Sequence, residues 1–212
     1  MTRAAGTAAT AAVTTEGPRG LASGLDPAAL TAAGLSPDEA GIAHAARADL
    51  AAGALAVTRD EGPRHLTASC LLLTPGAGTW SVALALHAAS GQWRQFGGHL
   101  ETCDRTLREA AVRELQEESQ IDAEAAQTWV SPSPVAVREF PVGTSACASH
   151  VDVLFAATTA APGRLGTDDA GITDVAWWNA DDLPAGTADD LLRDLPRLLA
   201  RVERLRGASH RR

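Results

Sequence analysis

The sequence predicts an α/β fold: a sandwich with helices on both sides of a mixed β-sheet, preceded by a helical preamble. Three observations carry this. Apolar segments punctuated by Gly, Pro and Ser turns fill the middle of the chain, helical periodicity marks residues 106–119 and the C-terminal end, and strands and helices alternate along the chain. The 212 residues suit one domain with peripheral material. Hydrophobic residues at 45% allow a proper core, and with aromatics at 4% that core must be built mainly of Leu, Val, Ala and Ile.

Taken in order, residues 1–24 are small, Gly- and Pro-containing and have little to bury, which predicts a disordered tail. No continuous apolar run of signal-peptide or membrane-spanning length is present, so a cytoplasmic protein is expected. Residues 25–60 form the preamble: Asp26-Pro27 and Ser36-Pro37-Asp38-Glu39 each place a capping residue before a Pro, predicting two helices between Asp26 and about Ala52. A main domain over 61–206 and a tail over 207–212 complete the division. Within the domain, strands are predicted at His65–Leu73, Ser81–His87, Val135–Phe140, Val151–Ala157 and Asp174–Trp178. Ala188 to about Leu205 carries Leu191, Leu192, Leu195, Leu198, Leu199 and Val202 at helical spacing, with Pro196 expected to kink or divide it. Trp177 and Trp178 are expected to split, one into the core and one toward the surface.

A net charge of −8 argues against a general polyanion binder, so no DNA or RNA polymer is expected as partner. Cys70, Cys103 and Cys147 are widely spaced with no CxxC pair, a pattern that predicts neither a disulfide framework nor a zinc site.

The chemistry concentrates in GGHLETCDRTLREAAVRELQEESQI, residues 97–121. Thr106-Leu107-Arg108-Glu109 fits a helix-starting capping box, and Asp104 lies where the helix dipole favours an acid. At about 100° per residue, Leu107, Ala110 and Ala111 share one stripe, and Glu114, Glu117 and Glu118 continue it. An apolar stripe that turns acidic without changing face should point its charges inward, where unpaired carboxylates are heavily penalised. Arg113 is one guanidinium against three acids. A hard divalent cation with oxygen ligands, Mg²⁺ or Mn²⁺, resolves the imbalance. An E-x-x-E-E taken alone is more often a solvated face; the inward stripe, the Gly97-Gly98 turn and Glu101 in the connecting loop point the other way.

The same window resembles the Nudix box, G-x5-E-x7-R-E-U-x-E-E-x-G-U with U a bulky aliphatic. Gly98 takes the first glycine, Asp104 the first acid, Arg113-Glu114-Leu115-Gln116-Glu117-Glu118 the R-E-U-x-E-E run, and Ile121 the last aliphatic. RHLTASCLLL, ALALHAASGQWRQFGGHLE, ASHVDVLF and DVAWWNADDLP are similar to a bacterial branch with a GGHxE opening. Three departures stand out: eight residues separate Asp104 from Arg113, Cys103 occupies a usual glycine, and Gln120 replaces the glycine that ends the helix.

The resemblance implies a Nudix-type α/β/α sandwich and a pyrophosphohydrolase acting on a nucleoside diphosphate linked to another moiety, or a similar small diphosphate. It implies Glu114, Glu117 and Glu118 as ligands of Mg²⁺ or Mn²⁺, with Glu101 and the Gly98 (or Gly97) backbone completing the shell. Glu117 or Glu118 would position or deprotonate water, with Arg113 orienting the carboxylates. Asp168 and Asp169 are alternative bases, although an ordinary acidic turn fits them better. His99, His150 and Trp93 are candidates for substrate contact, and Cys103 is a poor nucleophile for want of a base. The expected partner is a small diphosphate compound, a nucleotide by preference, with no membrane; a homodimer stays open. Two other readings compete: a Nudix-fold nucleotide-binding regulator without catalysis and, ranked last for want of an active-site Cys arrangement, a prenyl diphosphate isomerase.

Overall fold

A computed structural model of the protein describes residues 27–209 except 33, 77, 124–127 and 143–146; the predicted tail at 1–24 lies outside these. Among the described residues, eight strands form one mixed sheet and three α-helices pack around it.

The sheet is organised by β1 (Arg64–Pro75). It runs parallel to β7 (Ser149–Thr158) over ten register positions. Its other edge is shared: β4 (Phe96–His99) pairs with the first half and β2 (Trp80–His87) with the second, both antiparallel. A strand buried on both faces should read as largely apolar, and HLTASCLLL does apart from His65, Thr67 and Ser69. Its side chains alternate between two cores. Leu66, Ala68, Cys70 and Leu72 join Leu107, Ala110, Ala111 and Leu115 of α2 (Leu107–Ser119). Leu71 and Leu73 join Leu191, Leu195, Leu198 and Val202 of α3 (Asp189–Ser209). The predicted sandwich, with helices on both sides of a mixed sheet, is therefore the observed one.

The remaining strands complete the edges. β3 (Gln92–Arg94) and β8 (Ile172–Asn179) flank β2, while β6 (Ala136–Pro141) and the two-residue β5 (Trp129–Val130) flank β7. Trp177 and Trp178 do split, but between the two cores: Trp177 packs against the α2 side and Trp178 against the α3 side. Each is half-buried, so neither is the surface residue expected.

The helices differ from the sequence reading in the first preamble helix and in α3. The first preamble helix reduces to a 3-10 turn, Pro27–Leu30, and Gly34 at φ 83° breaks the chain before the next cap. The second, α1 (Pro37–Ala52), starts with a full capping box: Glu39 N–H donates to Ser36 Oγ and Ser36 N–H to the Glu39 carboxylate. Glu39 also pairs with Arg197 at 2.8 Å, tying α1 to α3. Pro196 sits inside α3 without dividing it, because the buried Leu191–Leu195–Leu198–Val202 stripe holds both halves on the sheet. The same helix continues to Ser209, into the expected tail.

Candidate active site

Helix α2 delivers the acidic cluster. Thr106 Oγ1 accepts from Glu109 N–H and starts the helix, but the Glu109 carboxylate turns back to Arg105 instead of closing the expected box. At the other end Gln120 adopts φ 56°, the left-handed cap for which the related pattern uses glycine, and its side chain donates to Asp168 at 3.0 Å.

The three glutamates do not share one environment. Glu114 and Glu118 are buried under β4, whereas Glu117 stands at the rim with 52% of its side chain exposed. The helical wheel explains this: Glu118 lies about 40° from Glu114, directly along the Ala110–Ala111 stripe, while Glu117 lies about 60° to the other side. The prediction that all three face inward is corrected to two inward and one at the edge.

Two glycines admit the buried pair. Gly97 N–H donates to Glu118 Oε2 at 2.8 Å. A Cβ on Gly98 would lie 2.7 Å from Glu114 Oε2, so any other residue would push that carboxylate away. Gly97, at φ 151°, is wedged on its other side against β1, where a Cβ would come within 2.7 Å of Ser69 Cα. Gly97→Ala should therefore cost about 1–3 kcal/mol of stability, since backbone cannot yield as a flexible side chain would. Urea unfolding measures it, and a midpoint unchanged from wild type would contradict this close approach.

Arg113 spends its guanidinium on several oxygens. Its Nε and Nη2 donate to Asp104 (3.1 and 3.0 Å), its Nη1 to Glu114 and Glu117 (both 3.0 Å), and Nη2 also to the His99 carbonyl (2.9 Å). Burial opposes its charge, but the Asp104 hydrogen bonds and the Glu114 and Asp104 charges outweigh it and hold its proton more tightly than usual. Glu118 has a backbone N–H where Glu114 has a cation. Burial accordingly pushes Glu118 up to about 8, with the Glu114, Asp169 and Glu117 charges adding to it. Burial also raises Glu114, to about 7, against the pull of Arg113.

These groups line an open cleft of about 1090 Å³ that passes around the end of β4. Glu101, Glu117, His99, His150 and Asp169 all reach it. Asp168 is not among the lining residues, being bonded to Gln120. Trp93 is not among them either: it is 8% exposed and packs edge-on against Trp178 in the core beneath α3. Its aromatic character serves the fold. Cys103 is exposed and donates to Glu101 at 3.5 Å, which together with its desolvation keeps it a thiol.

The cleft floor was not anticipated. Asp152, 2% exposed, accepts from Thr67 Oγ1 (3.1 Å), from Ser69 Oγ and from Arg138 Nη2 (3.0 Å). The available signal was Thr67 and Ser69 at alternate positions in an otherwise apolar strand, with an acid inside VDVLF.

The donor set fits a hard divalent ion. Two buried carboxylates with raised proton affinity face a glycine-lined backbone edge, Glu117 and Glu101 stand within the same cleft, and the one neighbouring guanidinium is divided among Asp104, Glu114, Glu117 and the His99 carbonyl and does not reach Glu118. The molecule is thus an α/β/α sandwich with a carboxylate-bearing helix beneath one end of its sheet. The chain belongs to the NUDIX domain family, whose profile matches residues 51–200.

Solved structures agree in fold. The NUDIX domain of Shewanella oneidensis NrtR, determined with ADP ribose, is 22% identical, covering 65% of this chain and 87% of that one at a TM-score of 0.52. A NUDIX-family hydrolase from Clostridium perfringens is 20% identical, covering 65% and 97%, also at 0.52. RenU, a Nudix hydrolase from M. smegmatis, is 21% identical, covering 67% and 88%, at 0.51. No curated protein matches the chain. No described helix is long and apolar enough to cross a membrane.

Proposed function

We propose that the protein is a metal-dependent Nudix pyrophosphohydrolase that cleaves a phosphoanhydride bond in a nucleoside diphosphate linked to another moiety, or in a similar small diphosphate. The observation that carries this is the buried Glu118 carboxylate, which meets a backbone N–H and other acids instead of a cation. A regulator that only binds nucleotide has no need of such a cluster. The finer placement in a GGHxE branch rests on the sequence segments alone.

In this reading Glu114, Glu117 and Glu118 hold Mg²⁺ or Mn²⁺, with Glu101 and the Gly98 backbone completing the shell. When bound, the ion would neutralise the diphosphate oxygens and make water a better nucleophile. Glu117 or Glu118 would orient the attacking water and take its proton. Arg113 fixes the carboxylates through its hydrogen bonds and has little left to offer substrate. His99 and His150 border the cleft where the rest of the substrate would lie, and Asp169 is the second-choice base.

The experiment is a panel of nucleotide sugars, dinucleotides and nucleoside triphosphates with Mg²⁺, read by mass spectrometry so that the cleaved bond is identified. ADP-ribose belongs in it because the Shewanella domain was determined with that compound. Binding without turnover of any member would favour the non-catalytic reading.

Proton and metal compete for the same oxygens, which sets a pH dependence. Both folded-state values, about 7 and about 8, lie above the ordinary 4.5, so the metal-free site is most stable when protonated. That contribution is complete below pH 4.5 and is lost as pH rises through 7 to 8. Magnesium should therefore raise Tm more at pH 8.5 than at pH 6, its affinity falling about tenfold per pH unit between 8 and 7, where one carboxylate is protonated, and about a hundredfold per unit below 7, where both are. Equal magnesium shifts at both pH values would contradict the assignment.

A further inference from the structure

On the face of β4 opposite Gly98, four side chains from separated positions converge. His65 lies at the start of β1, His150 sits beside it in the parallel register near the start of β7, His99 ends β4, and Cys147 precedes β7. One potential ligand atom from each lies within 4.8 Å of all the others. The imidazole centroids are 4.7, 5.0 and 5.1 Å apart, and Cys147 Sγ is 3.7 Å from His99 Nε2. Tetrahedral zinc, with Zn–N about 2.1 Å and Zn–S about 2.3 Å, places imidazole centroids about 5 Å apart and nitrogen and sulfur about 3.6 Å apart. The centroid spacings and the Sγ–Nε2 distance match such a tetrahedron, and the ligand atoms as a set, within 4.8 Å of one another, would draw together by about 1 Å around an ion.

Hydrogen bonding points the same way. His65 is fully buried, and its Nδ1 lies 2.8 Å from the Gly62 carbonyl, to which it must donate. In the neutral ring this leaves Nε2 as a lone pair, and that atom is buried with no hydrogen-bond partner. His150 Nε2 is orphaned in the same way. A stacked histidine cluster serving only as packing would leave both nitrogens unpaid, at about 1–3 kcal/mol each. A carbonyl holding Nδ1 while Nε2 faces inward is the arrangement that orients metal-binding histidines.

We propose that His65, His99, Cys147 and His150 form a four-coordinate site for a borderline-soft divalent transition metal, zinc by preference. Three imidazoles and a thiolate are a poor set for magnesium, so this site is chemically distinct from the carboxylate cluster across the strand. Four protein ligands leave no open position, which makes the role structural. The ion would join β1, β4, β7 and the segment entering β7. It would also brace the strand end whose His99 carbonyl accepts from Arg113. The proposal is independent of the carboxylate chemistry, takes His99 and His150 out of the role of substrate contacts, and reverses the expectation drawn from cysteine spacing.

The test uses the full-length protein expressed with zinc supplied and then washed with chelator. About one zinc per chain should remain by elemental mass spectrometry. Cobalt substitution should give intense tetrahedral d–d bands and a thiolate-to-cobalt charge-transfer band in the near ultraviolet. Because His65→Ala also hollows the core, Cys147→Ser is the primary variant: it should abolish the charge-transfer band and weaken metal retention by about a hundredfold or more. Glu118→Gln should leave both readouts unchanged. Zinc-loaded protein that emerges metal-free, or a cobalt spectrum that lacks the band or keeps it in Cys147→Ser, overturns the proposal.

Discussion

Replacing Glu118 with Gln is expected to lower kcat by about 10³-fold, equivalent to about 4 kcal/mol of transition-state stabilisation, while leaving the fold intact. The substitution keeps shape and the contact with Gly97, because an amide oxygen accepts the 2.8 Å hydrogen bond as a carboxylate does. What it removes is a charge. In the metal-free protein that charge is a burden, since burial pushes Glu118 up to about 8, and an amide carries no such penalty. Tm without magnesium should therefore be equal or higher at pH 8.5, and the magnesium-induced rise should shrink. The pairing of lost turnover with retained stability distinguishes a metal ligand from a structural acid. Wild-type kcat in this variant, with metal controls in place, would remove Glu118 from the reaction. Glu117→Gln tests the alternative base: its exposed position predicts little change in stability, so a large loss of kcat there would mark it as the residue that handles water.

Arg113→Met should have the largest effect on stability, about 3–5 kcal/mol, or roughly a 6–20 °C fall in Tm for a domain of this size. The reason lies in what the guanidinium leaves behind. Asp104 is 4% exposed and takes two hydrogen bonds from Arg113. Without them it keeps the Glu101 N–H at 2.8 Å as partner and becomes a buried charge with no cation. Glu114 loses its cation at the same time. Adding Asp104→Asn to Arg113→Met should recover part of the loss, since the double variant has one fewer buried charge to strand. A single variant within about 1 kcal/mol of wild type in urea unfolding would show that this network contributes little.

Much of the fold was legible because its signals are local. The apolar-rich segment from His65 to Leu73 reads as a strand from its own residues, and β1 contains it. Thr106 and the Leu107–Ala110–Ala111 stripe located α2 and its inward face to within a residue. Gln120 departs from the glycine of the related pattern, yet it takes the left-handed conformation that ends the helix. Where expectation and structure part, the cause is local in one case and remote in the others. The first preamble helix gave way to a short turn ended by Gly34, and Pro196 was tolerated because the buried stripe on either side of it packs on the sheet. Trp93, attractive as a stacking platform, was claimed by Trp178, 85 residues further along the chain by number.

The sequence by itself determined the elements, the layer order and the acidic stripe on α2, because periodicity and capping act over a few residues along one helix or strand. Tertiary structure alone decided that Glu114 and Glu118 go under β4 while Glu117 stays at the rim, and that Arg113 divides itself among Asp104, Glu114 and Glu117. It also brought His65 and His150 side by side through the parallel pairing of β1 and β7, with His99 and Cys147 closing around them. Burial and charge pairing depend on which distant segments meet. No spacing along the chain encodes that, and those meetings set the proton affinities and the ligand geometry on which any chemistry here depends.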